Sequence, residues 1–436
     1  MAVPLISLRG IAKLIRQNRN FRLLWSAQII SEVGDWLYAV VLYSLLLQIT
    51  GRAESIGITL ALQLLPQLFV SPMAGVLNDR LSRQRIMIVT DLARAVIIGL
   101  MVFVQTADRL WLLYTLLVLE TIMWAFFEPG RAAIVPNIAR NDEERLTANT
   151  LGGVTWAASF FLGSSLGGFM AAAFGRNFVF IFDAVSFLFS AWLVSRMRFH
   201  EPHVESAAPL TLRDLIGDGT FTEGLAYVWG DSRRRTTLMV KAGVGLMGSN
   251  YVILSVMGQR EFPLYWATRD PQAAAMMGIS TLMAARGCGA VVGPWLVGRW
   301  AGHHLEKMRL GIALGFVLVL LGYGALSQSS SLAVACAAIA LAHAGASTAW
   351  VFSTNLMQTF SEDAFRGRLL STDFAGMVLS ISLSSYLAGW AVDQGLPVRS
   401  AALATALVML VPLTGWLVMT RHWARPMPGP QPGSSR

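Results

Sequence analysis

Two carboxylic acids, Glu32 and Asp35, stand three residues apart inside an apolar run that begins near residue 25. On a helix that spacing places both on one face. Two carboxylates so close in a low dielectric do not readily stay charged together, and one is expected to hold a proton that exchanges near physiological pH. A proton-coupled carrier needs that chemistry. The alternative is structural: Glu32 near enough to an interface to be hydrated, and Asp35 paired with a neighbouring helix. A third acid, Glu120, precedes Trp124, Phe126 and Phe127. A buried carboxylate beside aromatic rings suits an amphiphilic cation, whereas each ring alone could equally pack into lipid or a neighbouring helix. Arg286, in Ala-Arg-Gly-Cys-Gly-Ala, is the strong cation deep in the second half. Its expected partner is a first-half carboxylate across a cavity, an anionic group on a substrate, or backbone carbonyls. Asp91 and Arg94, three apart, are expected to neutralise one another. Lys241 is expected to snorkel to an interface, and His343 to be a satisfied interior histidine. No hydrolase triad, zinc-ligand spacing or phosphate-binding loop of Walker type occurs, so neither an enzyme nor a cofactor is expected. Any uphill transport would then draw on an ion gradient, most simply protons.

The elements that position these residues are read from hydropathy. The 436 residues are 55% hydrophobic and 14% charged, with a mean hydropathy of +0.55, which marks a polytopic, all-α membrane protein. Apolar runs of about 20 residues, the length that crosses a bilayer, fall near 25–49, 54–76, 86–106, 110–130, 148–173, 178–196, 238–259, 273–298, 308–327, 331–355, 368–391 and 399–420. There are 34 Lys and Arg against 25 Asp and Glu. They cluster in loops between spans rather than on one folded face, which argues for a topology signal and against nucleic acid. With twelve spans and both termini cytoplasmic, 26 of the 34 basic residues fall on the cytoplasmic side. Cys288 and Cys336 lie within apolar segments, which implies neither a disulfide framework nor a metal site.

The longest polar stretch divides the chain six spans from six. The expected organisation is an inner-surface segment at 1–24, a first six-helix bundle at 25–197, a cytoplasmic linker at 198–237, a second bundle at 238–421 and a disordered tail at 422–436. Within the first segment Leu5, Ile6, Leu8, Ile11, Leu14 and Ile15 oppose Arg9, Lys13 and Arg16, as in an amphipathic surface helix. The linker is expected to carry a surface helix from Leu210 to Trp229.

Between the second and third spans runs Gly75-Val-Leu-Asn-Asp79-Arg80-Leu-Ser-Arg83-Gln-Arg85. This Gly-x-Leu-x-Asp-Arg-x-x-Arg-x-Arg turn resembles the signature loop of the major facilitator superfamily. Further segments resemble the branch of transmembrane secretion effectors, which includes the enterobactin exporter and macrolide efflux pumps. They are Ser31-Glu-Val-Gly34-Asp35-Trp36, Phe127-Glu-Pro129-Gly-Arg131-Ala-Ala-Ile-Val-Pro136, Asp183-Ala-Val-Ser-Phe187, and a span eleven that opens with Arg366-Gly367-Arg368 and closes with Ala388-Gly389 and Asp393. One departure stands out. Drug–proton antiporters of this superfamily carry Gly-Pro-x-x-Gly-Gly in span five, where this chain reads Gly163-Ser-Ser-Leu-Gly167-Gly168. The proline is missing, which puts tight antiport coupling in doubt, and the small residues still permit close helix packing.

The resemblance implies two six-helix bundles about a central cavity, working by alternating access. Asp35, Glu32 and Glu120 are the expected proton-coupling groups, and Glu120, Trp124 and Arg286 the expected substrate contacts. A cytoplasmic gate is expected from Gly75, Asp79, Arg80, Arg83 and Arg85 meeting Arg366 and Arg368, with Gly75 letting a neighbouring helix come close and Glu128 paired to Arg80 or Arg85. The expected job is export of an amphiphilic small molecule, drug-like or siderophore-like, in exchange for protons, by a monomer in the cell inner membrane. The rivals are a lipid or lysophospholipid transporter of the same fold and, from another class, a membrane enzyme or sensor.

Overall fold

A computed structural model of the chain describes residues 8–202, 204, 227–302, 304–361, 366–421 and 423. Among the described residues, twelve helices are long and apolar enough to cross a membrane: Arg19–Thr50, Glu54–Arg80, Arg83–Phe103, Ala107–Ile138, Asp142–Phe174, Arg176–Ser195, Ser232–Arg260, Pro271–Ala301, Leu305–Ser327, Leu332–Thr359, Leu369–Asp393 and Val398–Thr420. They are called spans one to twelve below. Several begin on a side-chain cap: Asn18, Ser82, Asn141, Asp231, Asp270 and Ser331 each accept a backbone N–H of the first turn. Gly51, at φ 68°, closes span one in the left-handed region. A short helix, Leu8–Gln17, precedes span one and packs on spans one and five. The surface helix expected over Leu210–Trp229 lies outside the described residues apart from 227–229, as does the tail from Pro426.

Two spans are broken, and each break has a local cause. Span seven tightens into a 3-10 turn at Leu246–Ser249. There Gly245 and Gly248 lie against the backbone of span eleven at Met377 and Ile381. Ser384 and Ser385 donate to the carbonyls of Gly245 (3.0 Å) and Gly248 (2.8 Å). Inside a membrane such carbonyls need a partner within the protein. Span twelve divides at Met409, where Pro412 cannot donate to the carbonyl four residues back.

Six spans form each bundle, and the bundles meet along spans two and eleven and spans five and eight. The face at which span one begins and span twelve ends is called the terminal face, and the opposite one the far face. Glycine makes the seam between the bundles close. Gly57 abuts the backbone of Ser385 and Tyr386, Gly389 that of Ala53 and Glu54, and Gly168 the Met276 carbonyl, with no room for a Cβ at any of them. Gly168 also donates its N–H to Ser280 at 2.6 Å. Gly163 and Gly167 admit span one at Val33, Trp36 and Leu37. The small residues of span five therefore set both the packing of the first bundle and its contact with the second.

Candidate functional site

Arg94 of span three is 3% exposed at its side chain. It donates to both oxygens of Asp35 at 3.0 Å and to Glu120 at 2.8 and 3.0 Å. Its guanidinium also lies 4.0 Å from the Phe187 ring centre. Spans one, three and four are thus tied at one point. The expected Asp91–Arg94 pair does not form. Asp91 accepts from Ser190 at 2.6 Å instead, because Arg94 turns toward the two acids on the neighbouring spans.

Asp183 of span six closes the group. It is fully buried, and one of its oxygens accepts from Ser186 at 3.2 Å. An added Cβ at Gly34 would run into the Asp183 carboxyl and Ser186. That gives the Ser31–Trp36 segment a physical reading. Gly34 admits Asp183, Asp35 meets Arg94, and Trp36 turns to the aromatic side chains at the seam. Asp183 entered the sequence reading only as part of a motif; its depth inside a 20-residue span was the available signal.

Glu32 does not join Asp35 in a carboxylate pair, since the two acids reach different partners. Gln28 donates to Glu32 at 2.8 Å, and Arg131 donates to Gln28 at 3.2 Å. Arg131 in turn holds Glu128 through Nε at 2.8 Å. The expected partners of Glu128, Arg80 and Arg85, are therefore replaced by an arginine one turn along its own helix. Glu120 and Glu128 are eight residues apart, about 12 Å of helix rise. Acids thus run from mid-span toward the terminal face along spans one and four.

Arg83 anchors the Gly75–Arg85 loop on the first bundle. Arg83 donates to the carbonyls of Asn78 and Ala133, both at 3.0 Å, and to Asp79 at 3.3 Å. Asp79 keeps its side chain 75% exposed. Nothing lies within 4 Å of an added Cβ at Gly75. The close helix approach expected there is found at Gly130, which faces Asn78. The side chains of Arg366 and Arg368 lie outside the described residues.

On the far face the bundles are joined by hydrogen bonds. Asp393, at the end of span eleven, accepts the N–H groups of Ala53 (2.8 Å) and Glu54 (2.9 Å). Span two begins without a capping side chain of its own, so the other bundle supplies its cap. Arg260 of span seven donates to the Gly51 carbonyl at 3.3 Å.

Arg286 reaches no first-half carboxylate among the described residues. It donates to the Tyr251 hydroxyl at 2.9 Å and lies over the rings of Tyr251 (4.3 Å) and Phe160 (4.7 Å). Trp36 meets Phe160 edge to face at 4.4 Å. These residues, with Tyr43 and Met283, line a narrow cavity between the bundles. Trp124 is half-buried and is not part of this cavity, nor is Glu120. Lys241 does not snorkel; it is buried with Asp373 at 2.5 Å. His343 meets the Tyr323 hydroxyl at 3.2 Å, as an interior histidine should.

Comparison with known proteins fits this geometry. The Major Facilitator Superfamily profile matches residues 24–312. The MFS-type transporter YfiS of Bacillus subtilis (strain 168) is 28% identical over 41% of this chain and 42% of its own length. The putative bacilysin exporter BacE of Bacillus amyloliquefaciens is 27% identical over 43% of this chain and 46% of its own. The chain thus matches under half the length of these two relatives. The crystal structure of the nucleoside transporter NupG superposes with a TM-score of 0.68 at 13% identity, covering 92% of this chain and 99% of that one. Two six-span bundles, the loop after span two and the profile match together place this chain in the major facilitator superfamily.

Proposed function

We propose that this transporter exports an amphiphilic small molecule across the cell inner membrane by alternating access, exchanging it for protons. The terminal face is the cytoplasmic one in this reading, with both termini and the 198–237 linker inside, and the carrier works as a monomer. The Gly75–Arg85 loop, Glu128, Arg366 and Arg368 form its cytoplasmic gate, and Asp393 and Arg260 hold the far side. The group around Arg94 carries the coupling. Two carboxyls, Asp35 and Glu120, are bonded to one buried guanidinium, and two more, Asp91 and Asp183, are fully buried on spans three and six. A negative charge left uncompensated in a dry interior costs several kcal/mol, so the group keeps charge balance by taking up and releasing protons. Asp35 is the member that exchanges them, because its side chain remains 24% exposed while Arg94 and Glu120 are closed off. Glu32 and Glu128 stand between it and the terminal face. Export is supported by the likeness to a putative bacilysin exporter, and it is a transfer from part of that protein's length.

A substrate-accumulation screen in a pump-deficient host tests this reading. Cells carrying the transporter should hold less of at least one amphiphile, and a protonophore should abolish the difference. A lipid or lysophospholipid carrier of the same fold would leave small-molecule accumulation unchanged and show little response to the protonophore.

A further inference from the structure

Among the described residues, three basic side chains set in the helices of the spans are paired. Arg94 has Asp35 and Glu120, Lys241 has Asp373, and Arg131 has Glu128. Arg286 differs. Among the described residues no carboxylate pairs with it, and its hydrogen-bond partners are the Tyr251 hydroxyl and, weakly, the Met283 sulfur at 3.9 Å. A guanidinium carries five N–H donors, so most of this one's capacity is unused. The residue sits at the seam rather than inside a bundle. Its neighbours are Trp36 and Phe160 from the first bundle and Tyr251 and Met283 from the second.

We infer that Arg286 is the recognition site for an anionic group of the transported molecule, and that the substrate is a carboxylate-bearing aromatic or planar amphiphile. This inference rests on the export reading above and names the substrate class for it. Three observations converge on it. A half-buried guanidinium at the seam, with no carboxylate partner among the described residues, favours an anionic ligand. A guanidinium fork matches a carboxylate in bidentate geometry. The Trp36, Phe160 and Tyr251 rings offer flat apolar faces beside it, where a planar body gains area at little entropic cost. The acids that would instead select a cation are spent, since Glu120 and Asp35 are already bound by Arg94. The cavity is narrow in this conformation, so its occupant enters as the bundles move apart about Arg286.

Equilibrium binding to the purified full chain in detergent tests the inference without any proton gradient. The probes are 2-naphthoate, its primary amide and a naphthyl quaternary ammonium of similar size, read by quenching of tryptophan fluorescence and by thermal shift. The naphthoate should bind at least about tenfold more tightly than the amide, the scale of one charge-assisted contact, and the ammonium should bind worst. Arg286→Gln should abolish that order, and Arg286→Lys should keep it in weakened form. Thermal unfolding of each variant verifies that it is folded, and Arg286→Lys carries the test if the glutamine variant is not. A wild-type protein that binds no naphthoate at millimolar concentration, or prefers the ammonium, overturns the inference. So does a carboxylate preference that survives in Arg286→Gln. None of these outcomes bears on proton coupling, which is measured separately with an imposed gradient.

Discussion

Arg94 donates to both carboxylate oxygens of Asp35, each at 3.0 Å, from a helix two spans away in sequence. The same guanidinium holds Glu120, so removing it strands two acids at once. Arg94→Leu should therefore destabilise the folded protein by about 3–5 kcal/mol, the usual cost of breaking a buried ion pair from one side. Adding Asp35→Asn and Glu120→Gln to that variant should restore most of the loss. Chemical unfolding in detergent measures both, and an Arg94→Leu protein as stable as the parent contradicts the assignment.

Lys241 and Asp373 form the corresponding pair in the second bundle, and among the described residues no third charge pairs with either. Asp373→Ala alone should cost about 3–5 kcal/mol, whereas Lys241→Met with Asp373→Leu should return to within about 1 kcal/mol of the parent. If the double variant is no better than the single one, the pair has a role beyond charge compensation, and its place in transport can be read from activity per folded molecule.

Asp393 caps span two from the opposite bundle, so Asp393→Ala should loosen the far-face contact rather than the fold. Loss of a cap is worth about 1 kcal/mol, which is roughly a fivefold shift in a two-state equilibrium. In a background lacking Cys288 and Cys336, a cysteine replacing Ser385, which is buried beside Gly57, should become several-fold more reactive to maleimide. Unchanged reactivity would mean that the cap contributes nothing to closure of that face.

Topology gives a further expectation. Reporters fused within 200–230 and at the C-terminus should both report cytoplasm, because six spans separate them. Opposite sides would require an odd number of crossings and would break the two-bundle account.

The sequence made twelve spans legible because membrane crossing is a one-dimensional constraint: enough apolar residues in a row, interrupted by basic loops. Even where the helix ends run past the apolar runs, as from Arg131 to Ile138, the extension is a loop-side continuation of the same helix. Partner choice was not legible in the same way. Asp91 and Arg94 satisfy a local i,i+3 rule, yet the guanidinium is captured by acids 26 and 59 residues away, a result of packing that no local spacing encodes. Glu128 shows the reverse error, a long-range partner expected where one turn of helix supplied Arg131. Arg286 could be recognised as a deep cation, but Phe160 and Tyr251 are ordinary aromatic residues in apolar runs until the two bundles bring them to its faces.

The coupling role of Asp35 is open to a single comparison. Asparagine keeps the shape of this side chain and still accepts from Arg94, but it cannot exchange a proton. In proteoliposomes with an imposed pH gradient, using a substrate found by the accumulation screen and normalising to reconstituted protein, the parent should transport uphill. Asp35→Asn should fall to the level of passive leak while remaining folded, and Glu32→Gln should keep part of the activity. Full gradient-driven transport by Asp35→Asn would contradict the account and leave Glu120 as the next group to test.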